Sequence, residues 1–374
     1  MKDPRIEKLA SNLVNYSCEV KPGDRVMVEC KGTQTIPLAA ECCRQATIIG
    51  GIPFWYYNGE DLCRPFLQSA NDEQFQIHGQ LHRGIMEQMD CYIGIRGSDN
   101  PFDLADMSDV SLKSMNKHIW QAVHIEVRLS KRWVVLRYPT PSMSLQAELP
   151  TEKFEDFYFQ VCTLDYANMN EAMKPLKALM ERTDKVRIIG KDTDLRFSIK
   201  GMAAVPCSGR LNIPDGEIFT APIIDSINGT IYYNAPSLYH STRFAGVRFR
   251  FEKGRIVEAS CDGDNQKLNA ILDTDEGARY IGEFALGINP YINKPMLDTL
   301  FDEKINGSFH LTPGNAYDET DNGNKSAIHW DLVSIQLPNW GGGEIYFDDV
   351  LIRKDGVFVH PELKDVLSEE ALKR

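Results

Sequence analysis

The sequence predicts an α/β N-terminal domain on a mainly parallel sheet (residues 1–185) and a strand-rich α+β C-terminal domain (residues 186–374) carrying a metal site. Three observations lead there. The chain has 374 residues, more than one domain usually holds. Its first half alternates strand and helix signals. Past residue 185 the strand signals crowd together, with no room for crossover helices.

Pro22-Gly23-Asp24 reads as a turn, and residues 25–30 form the short strand that follows it. Residues 36–49 carry helical apolar spacing and stop at Gly50-Gly51, and residues 52–57 are a second strand. The unit repeats as a helix around 72–90 and a strand at 91–95. A helix around 103–117 leads to apolar runs at 119–124 and 133–138. Strands separated by helices of this length argue for a parallel sheet covered on both faces.

After a helix near 168–181 the pattern changes. Residues 186–190, 194–199, 229–233, 246–251 and 256–259 read as strands, followed by a helix at 266–272. The tail returns to strands at 344–347 and 357–359.

Composition excludes several classes. A net charge of −12 lacks the basic footprint that nucleic acid demands. The charged start and the lack of a ~20-residue apolar run point to a cytoplasmic protein with no membrane partner. Nine scattered cysteines form no CxxC pair and read as reduced, mostly buried thiols. His78 and His82 share a helical face, lack the intervening glutamate of a helical zinc motif, and read as surface residues.

The chemistry concentrates in the C-terminal half. His329 and Asp331 are two residues apart in Ile328-His329-Trp330-Asp331, so on an extended chain they share a face and can reach one ion. His310 precedes them in the same polar segment after the strands. Glu283 lies in Gly282-Glu283-Phe284-Ala285, Glu303 in Leu300-Phe301-Asp302-Glu303, and Glu217 in a loop bracketed by Pro214 and Pro222. Carboxylates among apolar neighbours are costly to bury without a compensating cation or hydrogen bonds. With the two histidines they supply the oxygen and nitrogen ligands of a two-metal hydrolytic site.

At these residues the sequence resembles the thermophilic-type metallo-aminopeptidases, the aminopeptidase T and S family (M29). The motifs are the Glu-Ile-Phe-Thr-Ala-Pro run from Glu217, the stretch from Ala278 to Gly287, Leu300 to Glu303, Gly314-Asn315-Ala316-Tyr317, and Ile328 to Asp331. The resemblance implies metal ligands at Glu217, Glu283, Glu303, His310, His329 and Asp331. It also implies an active-site tyrosine at Tyr317, two divalent ions (zinc, cobalt or manganese), short peptide substrates and a homodimer. The spacing around Glu303 departs from the family pattern. Glu217 is the candidate for proton transfer as well as ligation, and the Tyr317 phenol for oxyanion stabilisation.

Two rivals remain. His310, His329 and Asp331 also satisfy the facial triad of a mononuclear Fe(II) ring-cleaving dioxygenase. For one iron, however, Glu217, Glu283 and Glu303 are surplus. The other rival is a non-catalytic binding protein on the same scaffold.

Overall fold

The computed structural model describes residues 3–98, 100, 103–104, 106–239 and 242–374. By compactness the chain divides into two units. The first runs to Thr163 and regains Gly209–Pro214; the second comprises Leu164–Ser208 and Asp215–Arg374. The sequence puts the boundary at 185, whereas here the helix Tyr166–Arg182 belongs to the second unit. Its stripe of Tyr166, Met169, Met173, Leu176 and Met180 is buried, and it packs on the strand Val205–Cys207 of that unit.

In the first unit the sheet order is Ile52–Tyr57, Arg25–Lys31, Cys91–Arg96, Arg132–Arg137, Asn212–Ile213, with every pairing parallel. The strands Arg25–Lys31 and Cys91–Arg96 are almost continuously buried, as interior parallel strands should be. Local signals set the helices. Ile36–Ile49 ends at Gly50, whose φ of +93° suits glycine alone at low cost. Asp72–Glu87 starts from a capping box between Asn71 and Gln74. The apolar run at 119–124 lies inside the wide-turned helix Asn116–Ile125, which continues Asp109–Met115.

The second unit holds two antiparallel sheets and a short two-stranded ribbon. The larger has eight strands. Its central hairpin, Lys185–Gly190 with Thr193–Ser198, joins Asn228–Tyr233 on one side and Gly343–Phe347 on the other. The smaller has five, in the order Leu332–Ile335, Ser308–Pro313, Ile281–Gly287, Glu217–Thr220, Val205–Cys207. Glu217 therefore lies on a buried strand rather than in a loop, and His310 lies within a strand rather than a polar segment. Both strands are buried along their whole length, so they lack the alternation that marks a half-exposed strand. Among the described residues no helix is long and apolar enough to cross a membrane.

Candidate metal centre

The five-stranded sheet assembles the site through its register. Glu283 sits opposite Thr312, Ala285 opposite both His310 and Phe219, Gly287 opposite Glu217, and His310 opposite Val333. Opposed residues share a face, as do alternate residues along a strand. Glu283, His310, Thr312 and Glu217 consequently point one way, while Phe284, Leu286, Phe309 and Leu311 point the other. Small residues leave room between the functional groups. A Cβ on Gly287 would meet Ile305 O at 2.4 Å and Ser308 Oγ at 2.5 Å, so glycine lets the segment bearing Glu303 and Lys304 close on the sheet. His329 and Asp331 join through the extended stretch leading into Leu332–Ile335, with His329 bridged to Gly314.

The distances tie these residues into one cluster. Glu283 Oε1 lies 3.2 Å from His310 Nε2, and Glu283 Oε2 lies 3.3 Å from His329 Nε2. Asp331 Oδ1 is 3.3 Å from the same His329 nitrogen and accepts from Thr312 Oγ1 at 2.7 Å. Glu217 Oε2 is 3.5 Å from His310 Nε2. His329 Nδ1 is 2.9 Å from Asn315 O. A carbonyl only accepts, so Nδ1 carries the proton and Nε2 faces the carboxylates.

The cluster includes a residue the sequence reading missed. Lys304, only 2% exposed, donates to Glu217 Oε1 and Glu303 Oε1, each at 2.5 Å, and lies 3.7 Å from Asp215 Oδ1. A lysine following an acid in Asp302-Glu303-Lys304 looks like any surface charge pair, so the sequence carried no signal for it. Thr312 and Asn315, which orient Asp331 and His329, were missed as well. Tyr317 bounds the more open side, 45% exposed, with its ring 4.7 Å from that of His329 and 5.5 Å from that of Phe219. A narrow crevice of about 10 Å³, lined by Pro236, Leu238, Leu297, Thr299, Asp302 and Val333, reaches Asp331.

The electrostatics are those of a buried, acid-rich pocket. Burial pulls both imidazoles down, yet Glu217 and Glu283 push His310 up to about 9, and Asp331 pushes His329 up to about 12. Burial raises Glu217 and Glu303 above the usual carboxylate range, with Lys304 only partly offsetting it. Glu283 is held low against its burial by His310 and His329, and Asp331 by His329.

An orphaned atom tests whether these residues suit a cation. Glu217 Oε2, on the side of His310 Nε2, is sealed from solvent with no hydrogen-bond partner, an arrangement that costs free energy unless something binds there. Two ligand groups emerge, Glu217–Glu283–His310 and Glu283–His329–Asp331, each with donor atoms within 4.8 Å of one another. They share Glu283. Carboxylate and imidazole donors in this mixture fit zinc-like divalent ions. Glu303 is in neither group; its Oε1 accepts from Lys304, as Glu217 Oε1 does.

Residues 2–339 match the profile of the thermophilic metalloprotease (M29) family. The chain belongs to this family. The resemblance read from the five motifs is borne out, and the M29 protein described here is accordingly a metal-dependent hydrolase. It is 25% identical over 352 residues to aminopeptidase 2 of Geobacillus stearothermophilus, covering 84% of each chain. It is 38% identical over 169 residues to aminopeptidase T of Thermus thermophilus, covering 38% of this chain and 41% of that one. The solved structure of wild-type AmpT from Thermus thermophilus shares the fold, with a TM-score of 0.79 at 22% identity over 96% of this chain and 99% of that one. A 2,5-dihydroxypyridine dioxygenase from Pseudomonas putida KT2440 resembles the M29 chain more distantly, with a TM-score of 0.60 at 15% identity over 96% of this chain and 98% of that one.

Proposed function

We propose that this metalloprotease is an aminopeptidase that removes N-terminal residues from short peptides and would take two divalent ions, zinc, cobalt or manganese, in the two ligand groups that have Glu283 in common. The observation that carries the reading is the position of Glu283, with one oxygen toward His310 and the other toward His329. Relatives named as aminopeptidases support the substrate class. When bound, such a cation pair supplies a polarised scissile carbonyl and a water acidic enough to ionise near neutral pH.

The protein's own groups do the rest. Glu217, Glu283 and His310 would hold one cation, and Glu283, His329 and Asp331 the other. Thr312 and Asn315 fix the orientation of Asp331 and His329, as supporting hydrogen bonds commonly do around metal ligands. Glu217 keeps one oxygen free of hydrogen bonds and carries the proton from the attacking water to the leaving amine. Glu303, held next to Glu217 by their common Lys304, completes that side of the anionic wall. The Tyr317 phenol donates to the oxygen that gains charge in the tetrahedral transition state. Substrate approaches on the more open side, where the partly exposed Tyr317 packs beside His329. A cytoplasmic homodimer completes the reading.

The iron-oxygenase alternative needs His310, His329 and Asp331 around a single ion. Glu283 reaches both imidazoles, which favours two cations over one. The test is chelation and reconstitution. Release of the N-terminal residue from a short peptide should vanish on metal removal and return with zinc, cobalt or manganese. Activity that survives complete chelation would overturn the proposal.

A further inference from the structure

In the first unit three side chains from three separate elements converge. Glu29 comes from the strand Arg25–Lys31, His82 from the helix Asp72–Glu87, and His124 from the helix Asn116–Ile125. They are 7%, 5% and 5% exposed, respectively. His82 is thus a buried residue, contrary to its reading as a surface one. Its helix turns that face onto Tyr56 and His124, whose rings lie 4.9 Å and 5.5 Å away. One donor atom from each of the three residues lies within 4.8 Å of the other two.

The second, independent observation is what these nitrogens lack. His82 Nε2 and His124 Nδ1 are sealed from solvent and have no hydrogen-bond partner. Two imidazoles with an orphaned nitrogen apiece, packed with one buried carboxylate, are an expensive arrangement for packing alone. The carboxylate is also oriented. Tyr92 donates to Glu29 Oε2 and Asn58 to Glu29 Oε1, each at 3.0 Å, the kind of support that metal-binding carboxylates receive. The helix bearing His124 has wide turns, with Glu126 N bonded to Gln121 O at 3.0 Å, a distortion frequent at functional sites.

We propose that Glu29, His82 and His124 bind one zinc-type divalent cation, in addition to the centre of the second unit. Two neutral imidazoles and a carboxylate are the donor set that zinc and its neighbours take, with a fourth position left for water. Burial supports the neutral form, lowering His82 and taking His124 down to about 4. Ligands of a tetrahedral zinc sit about 3.3 Å apart, given bonds of about 2.0–2.1 Å, so atoms that lie within 4.8 Å of one another close by at most about 1.5 Å on binding. The guanidiniums of Arg96 and Arg128 face the same pocket and oppose a cation. Arg128 is drawn aside, 4.3 Å from the Trp133 ring centroid and 5.5 Å from that of Tyr92. A cation bound there would fasten two helices to a sheet strand.

The full-length chain tests this directly. In a Glu283→Gln background, which disables the other centre, dialysis against micromolar zinc followed by elemental analysis should still find one tightly held zinc per chain. Cobalt loading of that protein should give the visible absorption of a four-coordinate site. Adding His124→Gln should remove both signals, and Glu29→Gln should do the same. Should the His124 variant fail to fold, the folded Glu283→Gln protein still decides, because no bound cation there overturns the proposal. Unchanged zinc content in a folded His124→Gln protein overturns it too. Peptide hydrolysis by the single His124→Gln variant reads the second-unit centre separately, so the two assignments fail independently.

Discussion

Lys304 donates to Glu217 across 2.5 Å from a side chain almost wholly withdrawn from solvent. The same ammonium engages Glu303, so the chain neutralises part of its own acid excess at the metal centre. Lys304→Met leaves two buried carboxylates without their cation. Breaking a buried ion pair in this way costs about 3–5 kcal/mol. Urea denaturation of chelator-treated protein should show a loss of that size, partly recovered by saturating zinc. An unchanged midpoint would refute this role for Lys304.

Tyr317→Phe should retain the metals and slow turnover. Losing one donor to a developing oxyanion typically costs about 100- to 1,000-fold in kcat. Single-turnover and steady-state assays, paired with metal analysis, check this. A wild-type rate would reduce Tyr317 to a ring packed beside His329.

His329→Ala and Asp331→Ala should each abolish hydrolysis and lower metal occupancy in a protein that stays folded. The two residues meet at His329 Nε2, and the donors that remain cannot hold the cation in working geometry. Wild-type turnover by metal-replete His329→Ala protein would dismiss the ligand assignment.

Asp275 shapes the approach to His329 from a distance. Its carboxylate accepts from Ala278 N at 2.9 Å, Ser326 Oγ at 2.8 Å and Ala327 N at 2.7 Å. Asp275→Ala should cost about 1–2 kcal/mol, as for a lost cap, and reduce kcat by loosening the extended stretch that carries His329. The hydrogen bond from Ala327 holds this carboxyl below its ordinary 3.8. A depressed carboxyl stabilises above its unfolded pKa and loses that contribution as pH falls through the folded one. The stability gap between wild type and variant should therefore be full at neutral pH and shrink below 3.8. A gap that does not change with pH would count against the assignment.

Legibility followed local punctuation. The helix Ile36–Ile49 and the strand Ile52–Tyr57 were readable to the residue because Gly50 and Gly51 stand between them. The five-stranded sheet was not. Ile281–Gly287 is buried at every position, and Glu217–Thr220 is only four residues long, so neither shows a period. The site acids were visible through their apolar neighbours and their motifs, but what surrounds them was not. Lys304 is remote in sequence from Glu217 and meets it only through the register of the sheet and the close approach at Gly287. His82 misled for a similar reason, since the i, i+4 spacing to His78 says which residues share a face but not which way it turns.

The central claim, an aminopeptidase acting through metals, is tested most directly by mass spectrometry on paired short peptides, one with a free N-terminus and one acetylated. A free α-ammonium finds partners among the buried carboxylates, where ion pairing is strengthened by exclusion of water. The metal-loaded protein should shorten the free peptide one residue at a time from its N-terminus and leave the acetylated one largely intact. Comparable cleavage of both, or cuts within the chain, would contradict the account.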